Sequence, residues 1–221
     1  PGNFDGEIRH AVSYSDPAEF RGKRVLIVGA GNSGCDIACD AAQNADAAFI
    51  SLRRGYHFIP KHVFGMPADE FAARGPKLPM WLAQRIFGAV LKVLVGDLTK
   101  LGLPKPDHRV FESHPIVNDQ LLHHLRHGDI TARGDIANTN GLSVEFSNGE
   151  CADYDLILQA TGYQLHYPFI DRKHLNWQDG GAPSLYLNVF HPEHRNLFVM
   201  GMIEATGLGW EGRSEQAEMV A

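Results

Sequence analysis

Cysteine is scarce in this chain, and that scarcity removes a class of fold. Cys35, Cys39 and Cys151 are the three among 221 residues, too few for a disulfide framework. A C-x-x-C pair is missing, which disfavours a dithiol redox centre. Cys35 and Cys39 share a helix face, yet no Cys/His set at metal-ligand spacing accompanies them, so helix packing is the better reading. The twelve histidines do not alter this, because His108, His114, His123, His124 and His127 are scattered or adjacent rather than spaced as ligands. Basic charge is lacking too. Twenty Lys and Arg face 26 Asp and Glu, a net charge of −6, which argues against a general nucleic-acid binder with its basic footprint. The most apolar stretch, Met80 to Leu98, is interrupted by Gln84, Arg85 and Lys92, too early for a bilayer span. An internal packing helix is preferred there over one lying on a membrane surface. No signal sequence is visible, and the chain reads as cytoplasmic. Nothing in the pattern selects an oligomeric state.

What is present is a strand, a turn and a helix in direct succession. Arg24 to Val28 is a short apolar run suited to a buried parallel strand, and it passes into Gly29-Ala30-Gly31-Asn32-Ser33-Gly34, a G-x-G-x-x-G in the position a dinucleotide-binding unit requires. In that reading Gly29 makes the tight turn, Gly31 lets the backbone approach a pyrophosphate, and Gly34 lets the following helix pack closely on the strand. The free N–H groups and dipole of the helix, expected over about Ser33 to Asn44, then face the phosphates. Ala47 to Leu52 is the second strand. Arg53 and Arg54 follow it, where an NAD-binding protein usually offers a carboxylate to the ribose. Two guanidinium groups there favour the 2′-phosphate of NADP. The fold class expected is α/β, a Rossmann-like parallel sheet with flanking helices.

Residues 55 to about 112 interrupt the βαβ rhythm with Pro60, Pro67, Pro76 and Pro79 and read as a helical insertion centred on 80–98. Pro115 to Gly128 is expected to hold a helix ending at Gly128, and Ile130 to Ala132 a strand. Ser143 to Phe146, Asn148-Gly149 and Cys151 read as a hairpin. Asp155 to Ala160 is a buried strand running into Thr161-Gly162-Tyr163. Beyond Tyr163 come loops, one more buried strand over Asn196 to Met202, and a helix start at Ser214 to Ala221. Gly207 to Gly212 repeats the G-x-G-x-x-G spelling without a strand directly before it, and reads as a flexible connection.

Phe4, Gly6, His10 and Tyr14 match F-x-G-x-x-x-H-x-x-x-Y, the identifying motif of flavin-containing monooxygenases, and the chain resembles that family over nearly its whole length. The motif precedes the glycine turn as it does there, Pro115 and Asn118 are similar to the family's P-x-x-N step, and Asp155 with Ala160-Thr161-Gly162-Tyr163 to its D-x-x-x-x-A-T-G-Y. Glu215, Gln216 and Ala217 resemble the return to its flavin domain. By itself the 4–14 stretch is a polar lead-in, and His10 is equally well a hinge residue or a neighbour of cofactor. The resemblance implies 1–20 as an interdomain connection, 21–162 as an NADP-binding domain, and 163–221 as the returning part of an incomplete FAD-type domain. An earlier FAD-binding fingerprint does not occur in these residues, so a fragment is expected. The cofactors implied are NADP and, in the complete protein, FAD. The activity implied is N- or S-oxygenation of a small amine or sulfide with dioxygen, through a C4a-hydroperoxyflavin. Tyr14, where Baeyer–Villiger enzymes carry Trp, disfavours that branch, and the intact motif disfavours an amino-acid N-hydroxylase. An NADPH-binding module without oxygenase activity is the competing class. No side chain is singled out as acid or base. The expected cofactor contacts are Gly29, Gly31, Asn32, Ser33 and Gly34 at the pyrophosphate, Arg53 and Arg54 at the 2′-phosphate, and Thr161, Gly162 and Tyr163 at the domain junction.

Overall fold

The computed structural model describes residues 2–63, 65–74, 79–177, 181–202 and 209–221. In chain order the principal elements are β1 (Glu7–His10), β2 (Arg24–Val28), α1 (Asn32–Asn44), β3 (Ala47–Ser51), α2 (Ala68–Arg74), α3 (Met80–Val95), α4 (Gln120–His127), β4 (Ile130–Arg133), β5 (Ile136–Gly141), β6 (Ser143–Phe146), β7 (Cys151–Asp153), β8 (Leu156–Gln159) and α5 (Gly209–Val220). The chain divides into two compact units, one of Pro1–Ala68 with Pro76–Gly162, the other of Asp69–Gly75 with Tyr163–Ala221.

The first unit is built on a five-stranded sheet in the order β1-β8-β2-β3-β4, every pairing parallel. Its central strands are apolar throughout because both faces are covered. Val25, Ile27, Ala48, Ile50, Leu156 and Leu158 turn to one side and pack with Ile37 and Ala41 of α1 and with Leu121, Leu122 and Leu125 of α4. The alternate residues Leu26, Phe49 and Ile157 turn to the other and meet Val144, Phe146 and Tyr154. That second layer is the antiparallel ribbon β5-β6-β7, with Asn3–Phe4 added in parallel to β5. From β2 the chain crosses to β3 on one side, and it returns as β8 on the other. The order therefore reverses at β2, and the carboxyl ends of β2 and β8 flank the switch point where α/β sheets bind ligands.

Several elements differ from the sequence reading. The polar lead-in contains a strand, β1, which has a partner on one side only and keeps half-exposed charge: Arg9 pairs with Glu7 at 2.8 Å and with Glu19 at 3.2 Å. The polar segment Ile136–Gly141 is also a strand, held by β6 through a register shift between Ile136 and Asn138. The helix ending at Gly128 is shorter than expected. Ile116–Val117 pairs instead with Phe58–Ile59, and α4 begins at Gln120 and ends on Gly128 with φ of 82°. Helix α3 stops at Val95, where Gly96 takes φ of 82°.

In the second unit the strand expected over Asn196–Met202 does not form. Val199 is buried and its N–H donates to Val189 O at 3.0 Å, but the pairing is confined to the isolated bridges Tyr186↔Phe190 and Phe190↔Phe198. An apolar run becomes a strand only where a neighbouring strand takes up its ladder. Leu175, Trp177 and Val199 form this unit's core cluster. Helix α5 begins earlier than expected, at Gly209. Of the second G-x-G-x-x-G, positions 207 and 208 lie outside the described residues.

Candidate dinucleotide site

At the end of β2 the Gly29 N–H donates to Ser51 O at 3.0 Å, which carries the β2–β3 pairing one step further. Gly29 then turns with φ of 105°. A side chain there would be strained and would place Cβ 2.6 Å from Ala160 O. Gly31 is the N-cap of α1 with an ordinary φ of −68°, and a Cβ on it would meet nothing within 4 Å. Gly34 is the reverse case: a Cβ would collide with Gly29 O and lie 3.2 Å from Ala160 Cβ. One glycine opens space above the turn, while another lets the helix sit directly on the strand ends.

The first bond within α1 runs from Cys35 N–H to Gly31 O at 2.9 Å. The N–H groups of Asn32, Ser33 and Gly34 precede it and have no intrahelical acceptor. No acidic residue stands in the first turn and no side chain caps Gly31, so the positive end of the helix dipole is left for an external anion. The Asn32 side chain is otherwise engaged, since its Oδ1 accepts from Val117 N–H at 3.3 Å. That bond leaves the main-chain N–H and the Nδ2 amide of Asn32 as the donors it can offer a ligand.

Strand register places the arginines at the same end of the sheet. Val28 is paired with Ser51, so Arg53 and Arg54 leave β3 beside the glycine turn, and both are exposed. The Arg54 Nη2 donates to Ser113 Oγ at 3.4 Å, and its Cζ lies 5.1 Å from the Tyr56 ring centroid. Thr161 and Gly162 follow β8 at the switch point, with Ala160 N–H donating to Val28 O at 2.8 Å. Gly162 has φ of 93° and closes the first unit. Tyr163 opens the second unit with an exposed ring, so the three junction residues do not share one unit.

Three residues of the identifying motif have contacts that sequence spacing does not reveal. His10 Nδ1 accepts from Val12 N–H at 3.1 Å, leaving Nε2–H to donate to Gly162 O at 3.0 Å. Tyr14 stacks on Phe20 and donates to Asp40 Oδ2 on α1 at 2.6 Å. Burial, and then this hydrogen bond to Asp40, push the phenol pKa up. A Cβ on Gly6 would sit 2.6 Å from the Phe4 ring and 2.9 Å from Asp155 O. The motif thus ties β1 and the lead-in to α1 and to the A-T-G segment, within the first unit.

Cys35 and Cys39 are buried on α1, where desolvation pushes both thiols up, Cys39 to about 12. Packing, not thiolate chemistry, is what they supply. Among the described residues no group of three or more His, Cys, Asp or Glu is placed to hold a metal ion, and no helix is long and apolar enough to cross a membrane. A cleft of about 1010 Å³ lies between α3 and the 97–108 segment, with Phe58, Leu91, Val95 and Lys105 among its lining. None of the nominated cofactor residues lines it.

Comparison with known proteins gives this geometry a family. The model for flavin-binding monooxygenase-like proteins matches residues 1–221. The chain belongs to that family. It is 32% identical over 226 residues to the Arabidopsis thaliana protein named "Probable indole-3-pyruvate monooxygenase YUCCA8", a match covering 99% of this chain and 52% of that one. It is 32% identical over 213 residues to flavin-containing monooxygenase 5 of Homo sapiens, covering 92% of this chain and 39% of the relative. The chain therefore spans about half, or less, of the length of these relatives. Among solved structures, a flavin monooxygenase variant from Stenotrophomonas maltophilia superimposes with a TM-score of 0.65 at 18% identity, over 98% of this chain and 54% of that one. A steroid monooxygenase bound to NADP gives 0.60 at 17% identity, over 72% and 42%. At these identities the structural likeness establishes the fold, a mixed α/β arrangement with a parallel sheet and flanking helices.

Proposed function

We propose that this family member carries the NADPH-binding part of an NADPH- and FAD-dependent monooxygenase that oxygenates a small amine or sulfide. The observation that carries the cofactor half of this reading is the turn itself. Space stands open over Gly31, with N–H groups behind it that have no intrahelical acceptor and two exposed guanidinium groups at the end of the neighbouring strand. A diphosphate fits the first feature and a 2′-phosphate the second, because each matches anionic oxygens to donors that have no ion pair of their own among the described residues. The solved steroid monooxygenase of the same fold holds NADP, which supports the choice of dinucleotide.

Hydride acceptance and dioxygen activation are the chemistry that the flavin supplies when bound. This chain's part is to bind and orient. Gly29, Gly31 and the main chain of Asn32, Ser33 and Gly34 hold the pyrophosphate, and Arg53 and Arg54 hold the 2′-phosphate. His10 fixes the Gly162 carbonyl, and with it the course of the A-T-G segment out of the switch point. No acid or base need act from these residues. Tyr14 at the last motif position supports the amine or sulfide substrate class.

The test is a titration of the chain and its Arg53→Ala/Arg54→Ala variant with both nicotinamide dinucleotides. NADPH binding is expected to weaken by about 1–3 kcal/mol for each guanidinium removed from the phosphate, with NADH binding little changed. Equal weakening of the two would overturn the assignment of the arginines.

A further inference from the structure

The two ends of the insertion close beside Arg54, and that closure gives this arginine a setting that Arg53 lacks. Gly55 and Pro106 form an isolated parallel bridge, packed so closely that a Cβ on Gly55 would collide with Pro104 O and with the Lys105 carbonyl carbon. Phe58–Ile59 then pairs in parallel with Ile116–Val117, and Ile116 N–H donates to His57 O at 2.9 Å. These pairings bring Ser113 back to the residue where the insertion began. Arg54 Nη2 donates to Ser113 Oγ at 3.4 Å, while its Cζ stands 5.1 Å from the Tyr56 ring centroid. Tyr56 is half-buried and packed against the main core, so its ring is an anchored platform. The same returning segment reaches the glycine turn, where Val117 N–H donates to Asn32 Oδ1 at 3.3 Å.

We propose that Tyr56 and Ser113 are positioning residues that hold the Arg54 guanidinium for the 2′-phosphate of NADPH and thereby set the preference for NADPH over NADH, an inference that rests on the dinucleotide reading above. A guanidinium carries five N–H donors in a planar fork. With one face on a ring and one Nη on a hydroxyl, several donors remain for phosphate oxygens. An arginine side chain is rich in rotamers, and ordering it before the ligand arrives removes a cost that binding would otherwise bear. The insertion in this account is the buttress of the selectivity element. Arg53, exposed and without such a platform among the described residues, is the adaptable partner of the pair.

The experiment is calorimetric titration of the full 221-residue chain with NADPH and with NADH. The variants are Ser113→Ala, Tyr56→Leu, Ser113→Thr, Tyr56→Phe and Arg54→Ala, each checked for folding by circular dichroism. Ser113→Ala and Tyr56→Leu are expected to lower NADPH affinity about three- to tenfold and NADH affinity by less than about twofold. Ser113→Thr, which keeps the hydroxyl, is expected to retain the preference, and Tyr56→Phe, which keeps the ring but removes the phenol hydroxyl that also bonds Arg54, to lower it less than Tyr56→Leu. If Arg54→Ala shifts the preference and the other two variants do not, or if they weaken both dinucleotides together, the positioning role is wrong. If Arg54→Ala itself leaves the preference unmoved, Arg54 does not face the 2′-phosphate and this inference fails with the glycine-turn reading intact; if the unaltered chain binds neither dinucleotide, the dinucleotide reading itself fails.

Discussion

Gly31 and Gly34 stand in one six-residue turn and answer to opposite constraints. Gly34 has no room for a methyl group, because Gly29 O and Ala160 Cβ already occupy the place. Gly31 has an ordinary φ and open space around it, so nothing among the described residues forbids a side chain there. The two alanine variants are therefore expected to separate folding from binding. Gly34→Ala should cost about 1–3 kcal/mol of stability through overpacking. Gly31→Ala should leave the denaturation midpoint almost unchanged and still weaken NADPH binding several-fold, because the added methyl stands where the pyrophosphate must approach. Urea denaturation beside NADPH titration measures both. Full NADPH affinity in Gly31→Ala would mean that the space above the turn is not where the diphosphate lies. At this scale the sequence was most informative where chemistry is local, as in the glycine spacing and the arginines after β3. It put Ala160 at the head of A-T-G-Y without its contact to the glycine turn, and it was silent on Tyr56 and Ser113, because these contacts depend on residues far along the chain.

Among the elements, α4 shows how a short helix is held. Eight residues are too few to be stable alone, and its last turn ends on Gly128 in the left-handed region with His124, Arg126 and His127 near the negative end of its dipole. Its beginning depends on Asn118, which is buried. The Asn118 Oδ1 accepts from Leu121 N–H at 2.8 Å, and its Nδ2 donates to Asp36 Oδ1 on α1, also at 2.8 Å. One side chain thus caps α4 and joins it to the helix that carries the glycine turn. Asn118→Ala removes both bonds and leaves the buried Leu121 N–H without its acceptor, while the exposed Asp36 carboxylate is taken up by water, a loss of about 1–3 kcal/mol that urea denaturation would register. A change below about 0.5 kcal/mol would show that the two helices are held by Leu121, Leu122 and Leu125 alone. The strands were legible in proportion to their burial. β2, β3 and β8 are apolar on both faces and were plain in the sequence. β1 and β5 show no apolar alternation because they stay half-exposed, and their hydrogen-bonding partners are remote in sequence. The expected strand at 196–202 had the apolar content of a strand without a ladder to join.

On the scale of the whole molecule the two units differ in what they bury. The first has a doubly covered sheet with apolar clusters on both faces. The second, among its described residues, has a smaller core cluster of Leu175, Trp177 and Val199. Few buried apolar groups lower the free energy of local opening. In α5 the Trp210 and Met219 side chains are exposed and Gln216 is buried, so its amides have little packing to protect them. Hydrogen exchange of the intact chain is therefore expected to be slowest in β2, β3 and β8, and at least about tenfold faster through 163–177 and α5. NADPH at about a hundred times its dissociation constant should add about 2.7 kcal/mol of protection to globally exchanging amides of the first unit, while leaving α5 nearly unchanged. The contrast follows from placing every proposed cofactor contact except Tyr163 on the better-packed unit. Equal protection of α5 and β2 without ligand would refute the difference in stability, and NADPH protection centred on α5 would put the nucleotide on the wrong unit.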